Sequence, residues 1–294
     1  MLLTVATFYR FVALHDLPAL KAALAALCAQ TRTRGTILIA PEGINGTLAG
    51  PQAGVATMVD QLDRSCGIRQ GELKYSTAYD WPFARAKVRI RPEIITLRAP
   101  EADPSQRVGA YVSPRDWNAL IDDPQVLVLD TRNRYETKVG GFAGAVDPAI
   151  DSFIDFKAYV DTALDPAEHR KVAMFCTGGI RCEKASAYML SKGFESVFHL
   201  KGGILQYLED VPQADSRWQG DCYVFDSRVA VGHGLAATDW AACYGCGQPL
   251  SADERASPAF EEGVSCAHCI DRLTDEKAAA LRERQRQIMQ VRQG

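Results

Sequence analysis

The sequence predicts a multidomain protein of mixed α/β and α+β class, on three observations. Residues 1–98 carry apolar patterns in the order β-α-β-β-α-β. Strand-like runs at 126–129, 172–175 and 197–200 alternate with helical stretches, which is the pattern of a mostly parallel sheet. From about residue 213 the chain turns irregular and carries two Cys-x-x-Cys pairs before a final helix. A chain of 294 residues suits such a division into several units. The boundaries read as 1–98, a linker over 99–112, an α/β domain over 113–212 and a cysteine-bearing segment over 213–294.

The elements follow in order. Thr4 to Phe11 reads as the first strand. Asp16 is an N-cap, with Pro18 in the first turn, for a helix through about Gln30. Gly35 to Ala40 is the next strand, Pro41-Glu42-Gly43-Ile44-Asn45-Gly46 a turn, and Thr47 to Ala49 a short partner strand. Val55, Met58, Val59, Leu62 and Cys66 share one helix face. Leu73 to Tyr75 and Ala86 to Leu97 supply the last strands, an order that fits a ferredoxin-like α+β sandwich. Pro100, Pro104 and Gly109 mark the linker. The terminal helix runs from about Thr274 to Val291, with Asp275 and Glu276 in its first turn and arginines late, matching the helix dipole.

Composition narrows the function classes. Hydrophobic residues at 47% and charged residues at 23% are ordinary for a soluble globular protein. No apolar stretch approaches a membrane span, and the N-terminus lacks the basic start and apolar core of a signal peptide. Nine cysteines, an odd number, argue for a reducing compartment and a cytoplasmic location. A net charge of −3 excludes a globally basic nucleic-acid binder, so any such role rests on local patches.

The densest chemistry lies at Cys176-Thr177-Gly178-Gly179-Ile180-Arg181. The run follows the apolar strand Lys171 to Phe175 and leads into a helix through Leu190. A cysteine at the C-terminal end of a parallel strand sits where ligands bind in open α/β sheets. Loop amides entering a helix N-terminus favour an anion, and a thiolate or persulfide is one. That field, with Arg181 and Lys184 nearby, predicts a depressed thiol pKa at Cys176. The alternative is an inert, buried strand-end thiol. The four residues between Cys176 and Arg181 make a cradle smaller than a tetrahedral phosphate needs. This loop resembles the active loop of a rhodanese domain. Val126 to Arg132, with its Asp130-x-Arg132 end and Glu136 following, is similar to the first rhodanese strand. Gly140 to Ala145 resembles a further family stretch without its usual His, and His199 to Gly203 resembles the closing segment. This similarity spans about residues 112 to 212.

Two other patterns carry chemistry. Arg85, Lys87, Arg89 and Arg91 alternate with apolar residues, so four cations share one strand face. An RNA backbone would neutralise them. The alternative is a solvated face balanced by Glu42, Glu72 and Glu93. The basic run Leu281 to Gly294 reads as a solvated helix face. Cys243-x-x-Cys246 and Cys266-x-x-Cys269, nineteen residues apart, have the spacing of a structural four-cysteine zinc site. A redox pair is the alternative, and His268 is a less favoured ligand. Cys182, beside Arg181, is a sulfur-accepting partner of Cys176, its partner in a protective disulfide, or a packed small residue. Cys28, Cys66 and Cys222 read as packing.

Taken whole, the chain resembles the bacterial rhodanese-like tRNA uridine(34) hydroxylase family. Gly35 to Ile37, Glu42 to Thr47, Asp130 to Glu136, Phe175 to Lys184, Cys243-Tyr244-x-Cys246-Gly247 and Gly263 to Cys266 carry the resemblance. It implies formation of 5-hydroxyuridine at the tRNA wobble position, with molecular oxygen as co-substrate and Cys176 as the active-site cysteine. Arg181 and the loop residues Thr177, Gly178, Gly179 and Ile180 would stabilise the anionic sulfur, with Asp130, Arg132, Cys182 and Lys184 in support. No flavin, nicotinamide or iron motif is apparent in the sequence. Phe142, Tyr135 and Phe175 are candidates to stack on the flipped base. Two other readings stay open. One is a sulfurtransferase carrying a persulfide on Cys176, served by a sulfur-donor protein. The other is a binding module with a vestigial rhodanese domain, against which the intact Cys176 and Arg181 argue.

Overall fold

The computed structural model describes residues 2–293. Met1 and Gly294, at the two ends of the sequence reading, and the side chains of Val291, Arg292 and Gln293 in the basic run lie outside the described residues. The N-terminal part runs β1 (Leu3–Phe11), α1 (Leu17–Gln30), β2 (Arg34–Ala40), β3 (Gly43–Gly50), α2 (Gln52–Cys66), β4 (Glu72–Ala78) and β5 (Ala86–Ile90). Strand order is β4-β1-β3-β2-β5, with β5 added in parallel to the edge of a ferredoxin-like sheet. Asp16 accepts the Ala19 N–H and caps α1, as its position beside Pro18 predicted. Leu24 and Cys28 of α1 and Val55, Met58, Val59, Leu62 and Cys66 of α2 pack on Ile37 and Ile39. The helices cover that one face only.

Three local expectations are corrected here. Gly43 to Gly46 lie in β3, and the β2–β3 connection is only Pro41-Glu42, because Ala40 pairs with Gly43. A Cβ on Gly46 would stand 2.8 Å from the Thr36 carbonyl oxygen, so this glycine serves close strand approach rather than a turn. The last strand ends at Ile90 instead of Leu97. The Glu93 carboxylate accepts the Leu97 and Arg98 N–H groups and folds the chain away from the sheet. The linker ends in a strand, β6 (Ala110–Val112), which pairs in parallel with a strand of the next sheet. Three residues are too few to show a period.

The central part continues with α3 (Pro114–Ile121), β7 (Val126–Asp130), α4 (Arg134–Thr137), β8 (Gly140–Phe142), α5 (Phe156–Ala163), β9 (Lys171–Phe175), α6 (Ile180–Ser191), β10 (Ser196–Leu200) and α7 (Gly203–Asp210). Its sheet, ordered β6-β10-β9-β7, is parallel throughout. One face packs Met174, Phe156, Tyr188 and Met189, and the other packs Trp117, Phe142, Phe175 and Tyr207. The segment after 213 is less irregular than its sequence. Strand β11 (Trp218–Gly220) pairs with β8, and Trp218, Cys222, Val224 and Val231 complete the second core. The terminal helix spans Asp275–Gln293, where Arg282 pairs with Glu261 and Arg286 with Glu283, as a solvated face should.

Candidate active site

Cys176 follows the last residue of β9, a strand flanked on both sides, so its loop opens at the carboxyl edge of the sheet. Gly179 has φ +102°, a left-handed conformation that turns the loop into α6, and its N–H donates to the Cys176 Sγ at 3.1 Å. Burial pushes the Cys176 thiol up. The Cys182 thiol, the Arg181 charge and the backbone N–H groups of Cys182 and Gly179 outweigh this and hold it well below the ordinary thiol range. Cys182 is fully buried in the same core, 3.6 Å from the Thr131 hydroxyl, and its own thiol is held high by burial and by Cys176.

Arg181 is not a free cation over the sulfur. Its two terminal nitrogens donate to the two oxygens of Glu136 at 2.6 and 2.7 Å, a buried bidentate pair. Arg132 forms a second buried pair with Asp130, at 2.6 Å, and also donates to the carbonyls of Glu136 and Gly140. Asp130 and Arg132 therefore hold the segment that presents Glu136 to Arg181.

Lys184 overturns its expected place. Its ammonium donates to both Glu42 oxygens, at 2.8 and 2.9 Å, to Glu93 and to the Ile95 carbonyl. These groups belong to the N-terminal part, so Lys184 joins the two parts and does not tune the thiol. Its side chain leaves α6 toward Glu42, Glu93 and the Ile95 carbonyl although it lies only three residues beyond Arg181, a spacing that keeps the two on neighbouring sides of the helix. Tyr9 makes a second link, donating to Glu183 at 2.8 Å.

The two parts enclose a cavity of about 470 Å3. Its floor is Cys176, Thr177, Gly178, Ile180 and Arg181, and its wall is the face of the N-terminal sheet that the helices leave bare. Strand register sets two rows across that wall. One is Lys74-Thr7-Thr47-Thr36 and continues to Lys87; the other is Glu72-Tyr9-Asn45-Leu38 and continues to Arg89. The cation stripe therefore extends the cavity wall outward. Arg85, Lys87, Arg89 and Arg91 are exposed, and among the described residues none has an ion-pair partner. Of the expected balancing charges, Glu42 and Glu93 are taken by Lys184, and Glu72 stands at the opposite edge of the sheet from the stripe. Tyr135 lines the cavity, whereas Phe142 and Phe175 are core residues stacked edge-on at 4.9 Å. Phe83, Phe153 and Phe225 are the cavity aromatics that sequence reasoning missed, as it missed Lys74 and Tyr9. The available signal was the alternation of Thr36 and Leu38 with buried Ile37 and Ile39, a strand face with no helix to cover it.

The four C-terminal cysteines converge as their spacing requires. Their sulfurs lie within 4.8 Å of one another, with Cys246–Cys266 at 3.7 Å and Cys243–Cys269 and Cys266–Cys269 at 3.9 Å. A tetrahedral ion about 2.3 Å from each thiolate sets its ligands roughly 3.8 Å apart, so the donor set fits a metal ion. His268 points elsewhere, to Glu254 at 2.7 Å and Lys138 at 3.0 Å.

Fold and site define a rhodanese-domain protein whose cysteine loop is roofed by an acylphosphatase-like sheet. Residues 3–94 match the family described as "UPF0176 acylphosphatase like domain", and residues 113–210 match "Rhodanese-like domain". The chain is 57% identical over 283 residues to a tRNA uridine(34) hydroxylase of Deinococcus radiodurans, covering 96% of this chain and 94% of that protein. It is 53% identical to the enzyme of the same name from Mesorhizobium japonicum, covering 97% and 92%. The corresponding figures for Brucella anthropi are 50%, 97% and 93%. The chain belongs to the tRNA uridine(34) hydroxylase family. Among the described residues no helix is long and apolar enough to cross a membrane.

Proposed function

We propose that this protein hydroxylates uridine 34 of tRNA at C5, giving 5-hydroxyuridine, with Cys176 as the reacting thiolate and molecular oxygen as co-substrate. One observation carries the reading beyond the family name. The Cys176 loop is the floor of a cavity large enough for a nucleoside, and the opposite wall runs on into a bare cation stripe. A single-stranded anticodon loop suits this shape: phosphates lie along Arg85, Lys87, Arg89 and Arg91 while the base enters between the two parts. A sulfurtransferase loop needs no such second wall, which favours hydroxylation over sulfur transfer. Arg181 and the loop amides stabilise the thiolate; Asp130, Arg132 and Glu136 hold Arg181; and Cys182 donates to the sulfur.

Cys243, Cys246, Cys266 and Cys269 hold a structural zinc ion. All four ligands come from the protein, so no position is left for chemistry. Unpaired cysteines throughout the described residues accord with a reducing cytoplasm.

The test is nucleoside mass spectrometry on tRNA from cells lacking this protein, complemented with wild type or Cys176→Ser. Return of 5-hydroxyuridine with wild type alone is expected. Its return with Cys176→Ser would overturn the thiolate mechanism, and a change in thiolated nucleosides alone would give the sulfurtransferase reading the case.

A further inference from the structure

We propose that Lys74, contributed by the N-terminal sheet, is the proton donor that completes the Cys176 site. The inference rests on the reading of Cys176 as a nucleophile toward uracil. In the step assigned to the pair, Sγ bonds to C6 and the C5–C6 π pair moves through C4 onto O4. O4 then takes a proton from the Lys74 ammonium, leaving a neutral amine. Collapse of the adduct returns the proton and releases the thiolate, so atoms and charge balance without an oxidant.

The cavity itself argues for this residue. Its other titratable linings are poorly suited to give up a proton. Arg181 has both terminal nitrogens on Glu136 and stays charged. The Tyr9 hydroxyl is committed to Glu183, and burial raises its pKa, as it raises that of Tyr135 to about 12. Glu72 lies on the row beside Tyr9, one strand over from it. Lys74 lines the wall and donates to the Gly202 carbonyl, one residue before Gly203. Gly203 in turn rests on the cysteine loop: a Cβ there would meet the Cys176 oxygen at 2.5 Å and the Thr177 oxygen at 2.6 Å. The Gly202-Gly203 pair therefore seats a lysine of one part against the nucleophile loop of the other. An ammonium has three N–H groups, and the hydrogen bond to Gly202 uses one.

Burial pulls the Lys74 pKa down to about 8, against the opposing charges of Glu72 on its own strand, Glu209 and Asp210 on α7, and the Cys176 thiolate. Asp226 and Arg228, an ion pair at 2.6 Å, share a smaller adjoining pocket with it. Such an amine is protonated at neutral pH yet acidic enough to transfer its proton.

An anticodon stem-loop carrying 5-fluorouridine at position 34 isolates the addition step, because the electron-withdrawing fluorine favours attack at C6 and an acid quench protonates C5 of the adduct, so that the thioether survives for intact-protein mass spectrometry. Its covalent capture by the full-length protein is followed against pH for wild type, Lys74→Gln and Lys74→Arg. Wild-type capture should fall as pH rises through about 8. Lys74→Gln should capture about 100-fold more slowly at neutral pH and lose that basic limb. Lys74→Arg keeps the charge and the reach to Gly202 but withholds the proton, and should lose the limb as well. Alkylation of Cys176 by iodoacetamide at the wild-type rate shows that the loop is intact in both. Wild-type capture rates in both variants, or slower capture with the limb retained, overturn the inference. Absence of capture by wild type, while cellular 5-hydroxyuridine still requires Cys176, overturns it and leaves the hydroxylase reading standing.

Discussion

Lys184 of α6 donates to both carboxylate oxygens of Glu42, at 2.8 and 2.9 Å, and so fastens the rhodanese helix to the β2–β3 turn of the other domain. Only 2% of its side chain is exposed, and Glu93 and the Ile95 carbonyl complete its shell. With the Tyr9–Glu183 and Lys74–Gly202 hydrogen bonds, this junction holds the two walls of the cavity together.

Removing one partner of a buried ionic group leaves the others uncompensated. Lys184→Met should therefore cost roughly 3 kcal/mol, read as a lower midpoint in urea denaturation. The depressed pKa of Glu93 adds a pH signature. Burial raises it, but bonds from Lys184 and the Leu97 and Arg98 amides prevail. A carboxylate pKa lower in the folded state contributes stability above its unfolded value, near about 4.3, and that contribution is lost as pH falls through the folded pKa. Lys184→Met should flatten this acid limb; an unchanged limb would show that the junction does not depend on Lys184.

The Arg181–Glu136 pair makes a separable prediction. Arg181→Met removes the charge that favours the thiolate and strands a buried carboxylate beside it, so the pH midpoint for Cys176 alkylation should rise. Stability should fall by about 3–5 kcal/mol. Adding Glu136→Leu should restore much of the stability but not the low midpoint. A wild-type midpoint in Arg181→Met would assign the shift to the loop amides and Cys182 alone.

For the cysteine cluster, elemental analysis should find one zinc per chain, and Cys266→Ser should lose it. Chelation should lower the melting temperature of wild type but not of the variant, since metal binding is coupled to folding in so small a unit. Stoichiometric metal in Cys266→Ser would contradict the four-sulfur site.

On the cation stripe, Lys87→Ala and Arg89→Ala should each weaken tRNA binding while leaving Cys176 alkylation unchanged. If each contacts a phosphate of a single-stranded loop, each should reduce the slope of log affinity against log salt by about 0.7. Titrations by fluorescence anisotropy at several salt concentrations measure this; parallel slopes would place the anticodon elsewhere.

Much of this molecule is legible in its amino-acid order. The helix face of Val55 to Cys66, the strand leading to Cys176 and the two cysteine knuckles are local patterns with fixed periods or spacings, and the fold keeps them. The Cys176 loop is legible for the same reason, because strand, glycines and helix N-terminus are contiguous. Where sequence reasoning misplaced a side chain, a distant group decided. Gly43 and Gly46 read as turn residues because the neighbouring strand backbones they admit come from elsewhere in the chain. Lys184 lies near Cys176 in sequence, but Glu42 and Glu93 claim it. Phe142 and Phe175 read as stacking rings, yet sheet packing turns them inward and brings Phe83, Phe153 and Phe225 to the cavity.

The division has a physical cause. Periodicity and short spacings encode what a segment does within a few residues of itself, and these determined most of the secondary structure, the Cys176 loop and the two cysteine knuckles. Which faces meet between elements far apart in the chain is set by burial and charge pairing, and no local pattern records it. Tertiary structure alone therefore brought Lys74 to Gly202, Glu136 to Arg181, and a bare sheet face over Cys176 to form the cavity.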